Sequence, residues 1–320
     1  MIRRLFLLLA GLALVLASAC AEAQSVRIAI LGPDEARFAD LVNGMRTGMR
    51  ELGYSEQRLS IIEARIPRGD DRAAQAAAVQ LAAQKAAALF VLGSALVKPA
   101  RSGAPGLPIV FITPGDPVAA GLVESLARPG GNMTALTYEY PELSAKRLEL
   151  LRELVPRARR VLAIYDGRDA SPRQGAAAAR AAAGPLGLTF VDRPLGSAEE
   201  IPQALNGLGG ADALLGLPGG ATAAHSRSMI AAANAKSIAT VFHTRSPDTH
   251  DALLTYGAND VDIARQSARA FDKILRGANA GELPVERPSK LTLVINARVA
   301  KAIGVAIPPA FALRADHILE

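Results

Sequence analysis

Short apolar runs alternate along this chain with longer stretches in which apolar residues recur every three or four positions. The runs read as buried strands and the periodic stretches as amphipathic helices. Val26–Leu31 is the first strand candidate. A helix follows from about Ala36 to Leu52, with Phe38, Leu41, Val42, Met45, Met49 and Leu52 at helical spacing and Gly53 as its stop. Leu59–Ala64 is the second strand, the Ala-rich Asp71–Ala87 the second helix, Leu89–Leu92 the third strand and Pro108–Ile112 the fourth. Met133–Thr137 reads as a fifth strand at an edge.

The rhythm then restarts. A helix over Glu142–Val155 leads to the strand Val161–Tyr165. Ala176–Leu186 reads as helix, Leu188–Val191 as strand and Ala198–Leu208 as helix, and Ala213–Leu217, Ile238–Phe242 and Leu253–Tyr256 complete a second set of strands. Asn259 caps a helix to about Arg276, with Asp262 three residues after the cap and Val261, Ala264, Ala268, Phe271 and Leu275 on its apolar face. Two successive series of strand–helix units predict an α/β protein of two doubly wound, parallel-sheet lobes. The packing of Leu291–Ile295 and of the C-terminal tail is not set by this pattern.

Composition narrows the classes. Half of the 320 residues are hydrophobic and none is Trp, as in a well-buried, Ala-rich globular protein. Arg3 and Arg4 precede the apolar run Leu5–Leu16, and small residues follow; this is the order of a secretory signal peptide. The run is shorter than the roughly 20 residues that span a bilayer. Ala21-Glu22-Ala23 fits a cleavage site, so residues 1–23 are expected to be removed. The only cysteine, Cys20, ends a Leu16-Ala17-Ser18-Ala19-Cys20 segment that resembles a lipoprotein box with its leucine one place early. An anchor through Cys20 and an ordinary discarded residue are both open. Loss of Cys20 would leave no thiol for a disulfide, a Cys-based metal site or thiol catalysis. The net charge of +6 is scattered among acids, without the clustered footprint of a nucleic-acid binder.

The most informative stretch is Ile109–Leu136. Its apolar start delivers the chain to a Gly115-Asp116-Pro117 corner, and the turn Arg128-Pro129-Gly130-Gly131-Asn132 follows a short helical segment. This run resembles the periplasmic substrate-binding proteins of ABC transporters of the tryptophan/tyrosine-type family, which are built like the leucine/isoleucine/valine-binding protein. The likeness continues through Glu142–Leu151, Phe271–Ala278, Leu283–Glu286, Leu293–Asn296 and Gly304–Glu320, nearly the whole chain after the leader, in order. It implies a type I periplasmic binding protein whose lobes are joined by a hinge near Tyr138–Pro141 and Tyr256–Asn259. The helix after Asn259 then returns to the first lobe. The expected division is 1–23 for the signal peptide, 24–139 with about 258–285 for lobe 1 and 140–257 for lobe 2, with 286–320 unassigned.

Open α/β sheets hold ligands beyond the carboxyl ends of their strands. Gly93-Ser94-Ala95 after the third strand offers a hydroxyl and backbone N–H groups that suit a carboxylate, and also reads as a simple helix cap. Asp116 is the firmest match to the family and a candidate for a ligand's ammonium; it equally fits an Asx turn. The second lobe offers Asp166-Gly167, Pro218-Gly219 and His243-Thr244. Many relatives have Asn-Pro where this chain has Asp166-Gly167, and a polar residue where it has Gly219-Gly220, so the ligand is not dictated by the resemblance. Tyr256-Gly257 matches the family's Tyr-Gly; Tyr256 suits stacking on an apolar ligand or burial at a strand end. The candidate ligand-binding set is Ser94, Ala95, Asp116, Asp166, His243 and Tyr256.

His243, Asp248, His250 and Asp251 form the only His/Asp cluster, but at loop-like spacing broken by Pro247, and read as a polar surface loop rather than a metal site. There is no GxSxG, Walker A or HExxH motif, and Gly207-Leu208-Gly209-Gly210 precedes a strand rather than following one. The expectation is a periplasmic, monomeric solute-binding component of an ABC importer, without cofactor, metal, nucleic acid or catalysis. It would capture a small solute, an amino acid or related compound, and hand it to the inner-membrane permease. A sensor subunit presenting its solute to a signalling receptor, and a secreted enzyme with Asp116 and His243 as an acid–base pair, are the alternatives.

Overall fold

The computed structural model describes residues 25–35, 37–67, 69–139 and 141–320. The expected leader and Cys20 lie outside the described residues. Among those described, no helix is long and apolar enough to cross a membrane.

The first sheet has five parallel strands in the order β2-β1-β3-β4-β5: β1 (Val26–Pro33), β2 (Leu59–Ile66), β3 (Ala88–Leu92), β4 (Ile109–Pro114) and β5 (Met133–Glu139). Helices α1 (Phe38–Glu51), α2 (Asp71–Ala83) and α3 (Val97–Gly103) connect them. The apolar runs are continuous because both faces are covered. Ile28, Ile30, Phe90, Val110 and Ile112 face one core, while Ala29, Leu31, Leu89, Val91 and Phe111 face the other.

The second sheet has seven strands in the order β12-β11-β10-β9-β8-β6-β7. They are β6 (Arg160–Asp166), β7 (Thr189–Leu195), β8 (Ala213–Leu215), β9 (Ala239–Phe242), β10 (Leu254–Gly257), β11 (Thr292–Asn296) and β12 (His317–Leu319). Only the β10–β11 pairing is antiparallel. Thus the α/β architecture with two mostly parallel sheets is present, and the C-terminal strands extend the second of them. Helices α4 (Pro141–Leu154), α5 (Ala170–Ala183), α6 (Gly220–Asn234), α7 (Asp260–Leu275) and α8 (Ala297–Ala302) complete the main elements. Single helical turns lie at Ile201–Ala204 and Pro309–Ala312.

The chain leaves the first sheet between β5 and α4 and returns between β10 and α7. On the way to β11 it brushes β5 again: Glu286 bridges Leu136, and the Thr137 N–H donates to the Glu286 carbonyl at 3.0 Å. Helix α7 packs tightly on α1. A Cβ on Gly44 would lie 2.3 Å from the Val261 carbonyl oxygen, and one on Gly48 would lie 2.4 Å from that of Arg265. These two glycines, opposite Ala264 and Ala268, let the helices touch backbone to backbone.

Several elements differ from the pattern. The buried face of α7 is Ile263, Ala264, Ala268, Phe271 and Ile274, while Val261 is exposed, one position round from the expected stripe. Phe271 meets Phe90 edge-on, ring centroids 5.7 Å apart. Helix α6 was not legible because Ala, Ser and Thr dominate it and leave little apolar contrast. The expected helix over Ala198–Leu208 is a series of short turns around Pro202. Strand β7 runs through Pro194, which an edge strand tolerates.

Candidate functional site

The carboxyl ends of both sheets meet around a cavity of about 180 Å³. From the first sheet it receives Pro33, Gly93, Ser94, Ala95, Pro114 and Tyr138, all at or just beyond strand ends. From the second come Asp169, Gly219, Ala223 and His243. Phe38, Leu41, Ile66, Leu92, Leu96 and Ile112 supply an apolar wall. Elsewhere the two halves touch: a Cβ on Gly115 would lie 3.1 Å from Ser171 Oγ, and Gly115 has a φ of +79° that only glycine adopts easily.

Ser94, Ala95 and His243 line this cavity. Ser94 does not act as a cap; Gly93, with φ +104°, holds the N-cap position of the turn that Ser94 begins. Asp116, Asp166 and Tyr256 do not line it. The Asp116 carboxylate accepts from the Val118 N–H at 2.8 Å and the Ala119 N–H at 3.3 Å, the Asx-turn geometry, and the residue is exposed. Asp166 is engaged by Arg168 through Nη2 at 2.8 Å and through its backbone N–H at 2.9 Å. The Arg168 hydrogen bond holds that carboxyl below the usual carboxylate range. Tyr256 packs against the core of the second sheet. Asp116 and His243 therefore do not share a cavity as an acid–base pair.

The surface-loop reading holds for Asp248, His250 and Asp251, whose side chains are exposed, but not for His243 and the threonines between. His243, Thr244 and Thr249 are buried, with Thr244 Oγ1 donating to the Ala258 carbonyl at 2.8 Å and Thr249 Oγ1 to that of Thr244 at 2.6 Å. No group of three metal-ligating side chains assembles among the described residues.

Four polar residues of the cavity were missed from sequence: Glu35, Arg37, Tyr138 and Asp169. Arg37 stands at the N-cap of α1, an unfavourable place for a cation at the positive end of a helix dipole. Its compensation is an ion pair with Asp260, the first residue of α7, which is only 4% exposed. Arg37 also lies over the Tyr138 ring, 5.5 Å from its centroid, and Nη1 donates to the Tyr138 hydroxyl at 3.4 Å. Burial opposes its charge, but Asp260 and Tyr138 outweigh burial and raise the guanidinium's pKa. A lone arginine opening an otherwise well-patterned helix was the available signal. Asp169 caps α5, accepting from the Ser171 N–H at 3.0 Å. Its signal in the sequence is weak because the cavity is reached not by the first residues after the strand but by the helix cap three positions on.

Arg147 has no solvent exposure. Its Nε donates to the Tyr256 carbonyl at 2.8 Å and its Nη2 approaches that of His243 at 3.5 Å. Between this guanidinium and Arg37, and stripped of water, His243 has its pKa pushed down to about 3; burial is the largest cause. The imidazole is neutral at physiological pH.

The family model for ABC transporter substrate binding proteins matches residues 27–319. A tyrosine-binding protein of Clostridioides difficile (strain R20291) is 23% identical over 263 residues, covering 82% of this chain and 76% of that protein. Among solved structures, an ABC domain from Streptococcus pneumonia in complex with L-Trp has a TM-score of 0.82 at 20% identity, covering 92% of this chain and all of that one. A substrate-binding protein with adhesive properties from Clostridium difficile, in its ligand-free open structure, has a TM-score of 0.71 at 21% identity, over 92% and 99% of the two chains. At these identities the structures speak for the fold.

Proposed function

The chain belongs to the ABC transporter substrate-binding protein family, and on that premise we propose that it captures an amino acid with a large apolar or aromatic side chain between its lobes and delivers it, in the periplasm, to an inner-membrane permease. The observation that carries this reading is the make-up of the cavity. Cationic Arg37 and the Ser94 hydroxyl line it from the first sheet, Asp169 from the second, and an apolar wall lies between Phe38 and Leu96. A zwitterion presents a carboxylate, an ammonium and a side chain, and this set has a complement for each. The printed ligands of the relatives, tyrosine and L-Trp, support the same class.

The lobes of this reading are residues up to 139 with about 258–285, and 140–257 with the C-terminal strands. The crossings near Glu139–Pro141 and Gly257–Asp260 act as the hinge. Ligand bound to one lobe favours closure because the other lobe adds contacts only when closed. The protein works as a monomer and turns nothing over. A thermal-shift panel of the purified protein against L-tyrosine, L-tryptophan, L-glutamate, arabinose and citrate tests it. Stabilisation by an aromatic amino acid and not by the sugar, L-glutamate or citrate is expected; stabilisation by arabinose or citrate alone would overturn the ligand class.

A further inference from the structure

The two walls of the cavity differ in how far they can change. Phe38, Leu92, Leu96 and Ile112 line it from the first sheet and also belong to that sheet's cores, each no more than 7% exposed. A change of volume at any of them repacks a core. The second sheet contributes Asp169, Gly219, Ala223 and His243. Asp169 is committed to the cap of α5. A Cβ on Gly219 would lie 2.9 Å from Asp169 Oδ2 and 3.1 Å from Pro172 Cδ, so a side chain there would displace that cap. His243 is buried. Ala223 is different. It stands in the first turn of α6, its N–H donating to the Gly219 carbonyl at 2.9 Å, and it is partly exposed. Among the described residues its methyl is the one apolar side chain that this wall presents to the cavity. It also borders an adjoining pocket of about 30 Å³, lined by Ser226, Thr244 and Thr249 and with room for little more than a water. A longer apolar side chain at this position therefore gains apolar contact only in the main cavity.

We propose that Ala223 is the specificity-determining residue that sets the size of the solute's side chain. The inference rests on the amino-acid-binding reading above and adds to it the position that decides between large and small members of that class. An apolar side chain lying on the wall of Phe38 and Leu96 meets the Ala223 methyl from the other sheet, and the smallness of that methyl leaves the width an aromatic ring needs. Leucine in its place would put three further carbon atoms into a cavity of about 180 Å³. A ring that filled the space is then excluded by overlap. A short side chain, which left a void against the alanine, gains contacts instead. Discrimination of this kind is worth roughly 10–200-fold per methylene in an apolar pocket.

Calorimetric titration of the wild type, Ala223→Val and Ala223→Leu with L-tryptophan, L-tyrosine and L-valine tests this. Affinity for L-tryptophan should fall stepwise through the series, by tenfold or more in the Leu variant. Affinity for L-valine should hold or rise, so the ratio of the two affinities falls by at least the same factor. Unchanged affinities in both variants overturn the proposal. An equal loss for all three solutes also overturns it, because position 223 then touches the part that every amino acid shares. Circular dichroism and melting temperature confirm that the variants are folded, and the smaller Val change carries the test if the Leu variant is not. Binding of none of the three by the wild type is a different result: it overturns the amino-acid reading itself, and this inference with it.

Discussion

Arg147 Nε donates to the carbonyl oxygen of Tyr256 at 2.8 Å, from a guanidinium with no solvent exposure at all. Tyr256 lies at the end of β10, one residue before Gly257, where the chain turns back towards the first sheet. A Cβ on Gly257 would sit 1.8 Å from the His243 carbonyl and 3.3 Å from Arg147 Nη2. One buried cation thus ties α4, which opens the second half of the molecule, to the ends of β9 and β10. Replacing Arg147 by Met leaves buried carbonyls short of a donor. The expected loss is about 3 kcal/mol of unfolding free energy, measured by urea denaturation. A loss below about 0.5 kcal/mol would show the contact to be dispensable.

His243 gives the protein an acid-sensitive component of stability. Its folded pKa of about 3 lies below the roughly 6.5 of an unfolded histidine, so the unfolded state binds more protons between those values. The stabilisation is complete above about pH 6.5 and declines as pH falls towards 3. At pH 5 the loss is on the order of 2 kcal/mol relative to pH 7. His243→Asn should flatten the pH dependence of the melting temperature between pH 7 and 5, and parallel curves for the two proteins would contradict the assignment.

The α1–α7 contact predicts opposite outcomes for two Gly→Ala changes. Alanine normally stabilises a helix over glycine by roughly 0.5–1 kcal/mol. At Gly48 the new methyl would lie 2.4 Å from a backbone carbonyl, and the net effect is expected to be a destabilisation of about 1–3 kcal/mol. Gly184, at the end of α5 with φ −56° and nothing within 4 Å of a built Cβ, should gain a few tenths of a kcal/mol or more as Ala. Thermal melts of the two variants check the pair.

Two aspartates should separate binding from local structure. Asp116→Ala removes an exposed Asx turn, so solute affinity should stay within twofold of wild type, with about 0.5–1 kcal/mol of stability lost. Asp169→Asn retains the cap on α5 but removes the negative charge at the cavity, and affinity for a zwitterionic amino acid should fall tenfold or more. Calorimetric titration distinguishes them; the reverse ranking would return the site to the Gly115-Asp116-Pro117 corner.

The architecture was legible because strands covered on both faces are uniformly apolar and the helices between them are periodic. Alternation along β1, β3 and β4 is between two cores and leaves no ambiguity about burial. Ser94, Ala95 and His243 follow strand ends, as their places in the sequence suggest, and all three line the cavity. The sequence did not separate them from Asp116, Asp166 and Tyr256, because whether a carboxylate faces a cleft or its own turn is decided by one or two backbone N–H groups and a neighbouring arginine. Arg37 and Asp260 were illegible as a pair for a different reason: 223 residues separate them, and only the close approach of α1 and α7 joins them. Arg147 was half visible, since Leu143, Arg147, Leu151 and Leu154 share one helical face and place a cation on the buried side.

The central claim is that a solute is held between the lobes, against the first residues after β3 and β9. Ala95 lines the cavity and is exposed, so Ala95→Trp should fill the cleft without disturbing either core. Calorimetric titration of the wild type and of this variant with L-tyrosine, and with L-tryptophan, measures it directly. The wild type should bind one molecule per chain, and Ala95→Trp, with an unchanged melting temperature, should show no heat of binding. Equal affinities in the two proteins would place the solute elsewhere and contradict the account.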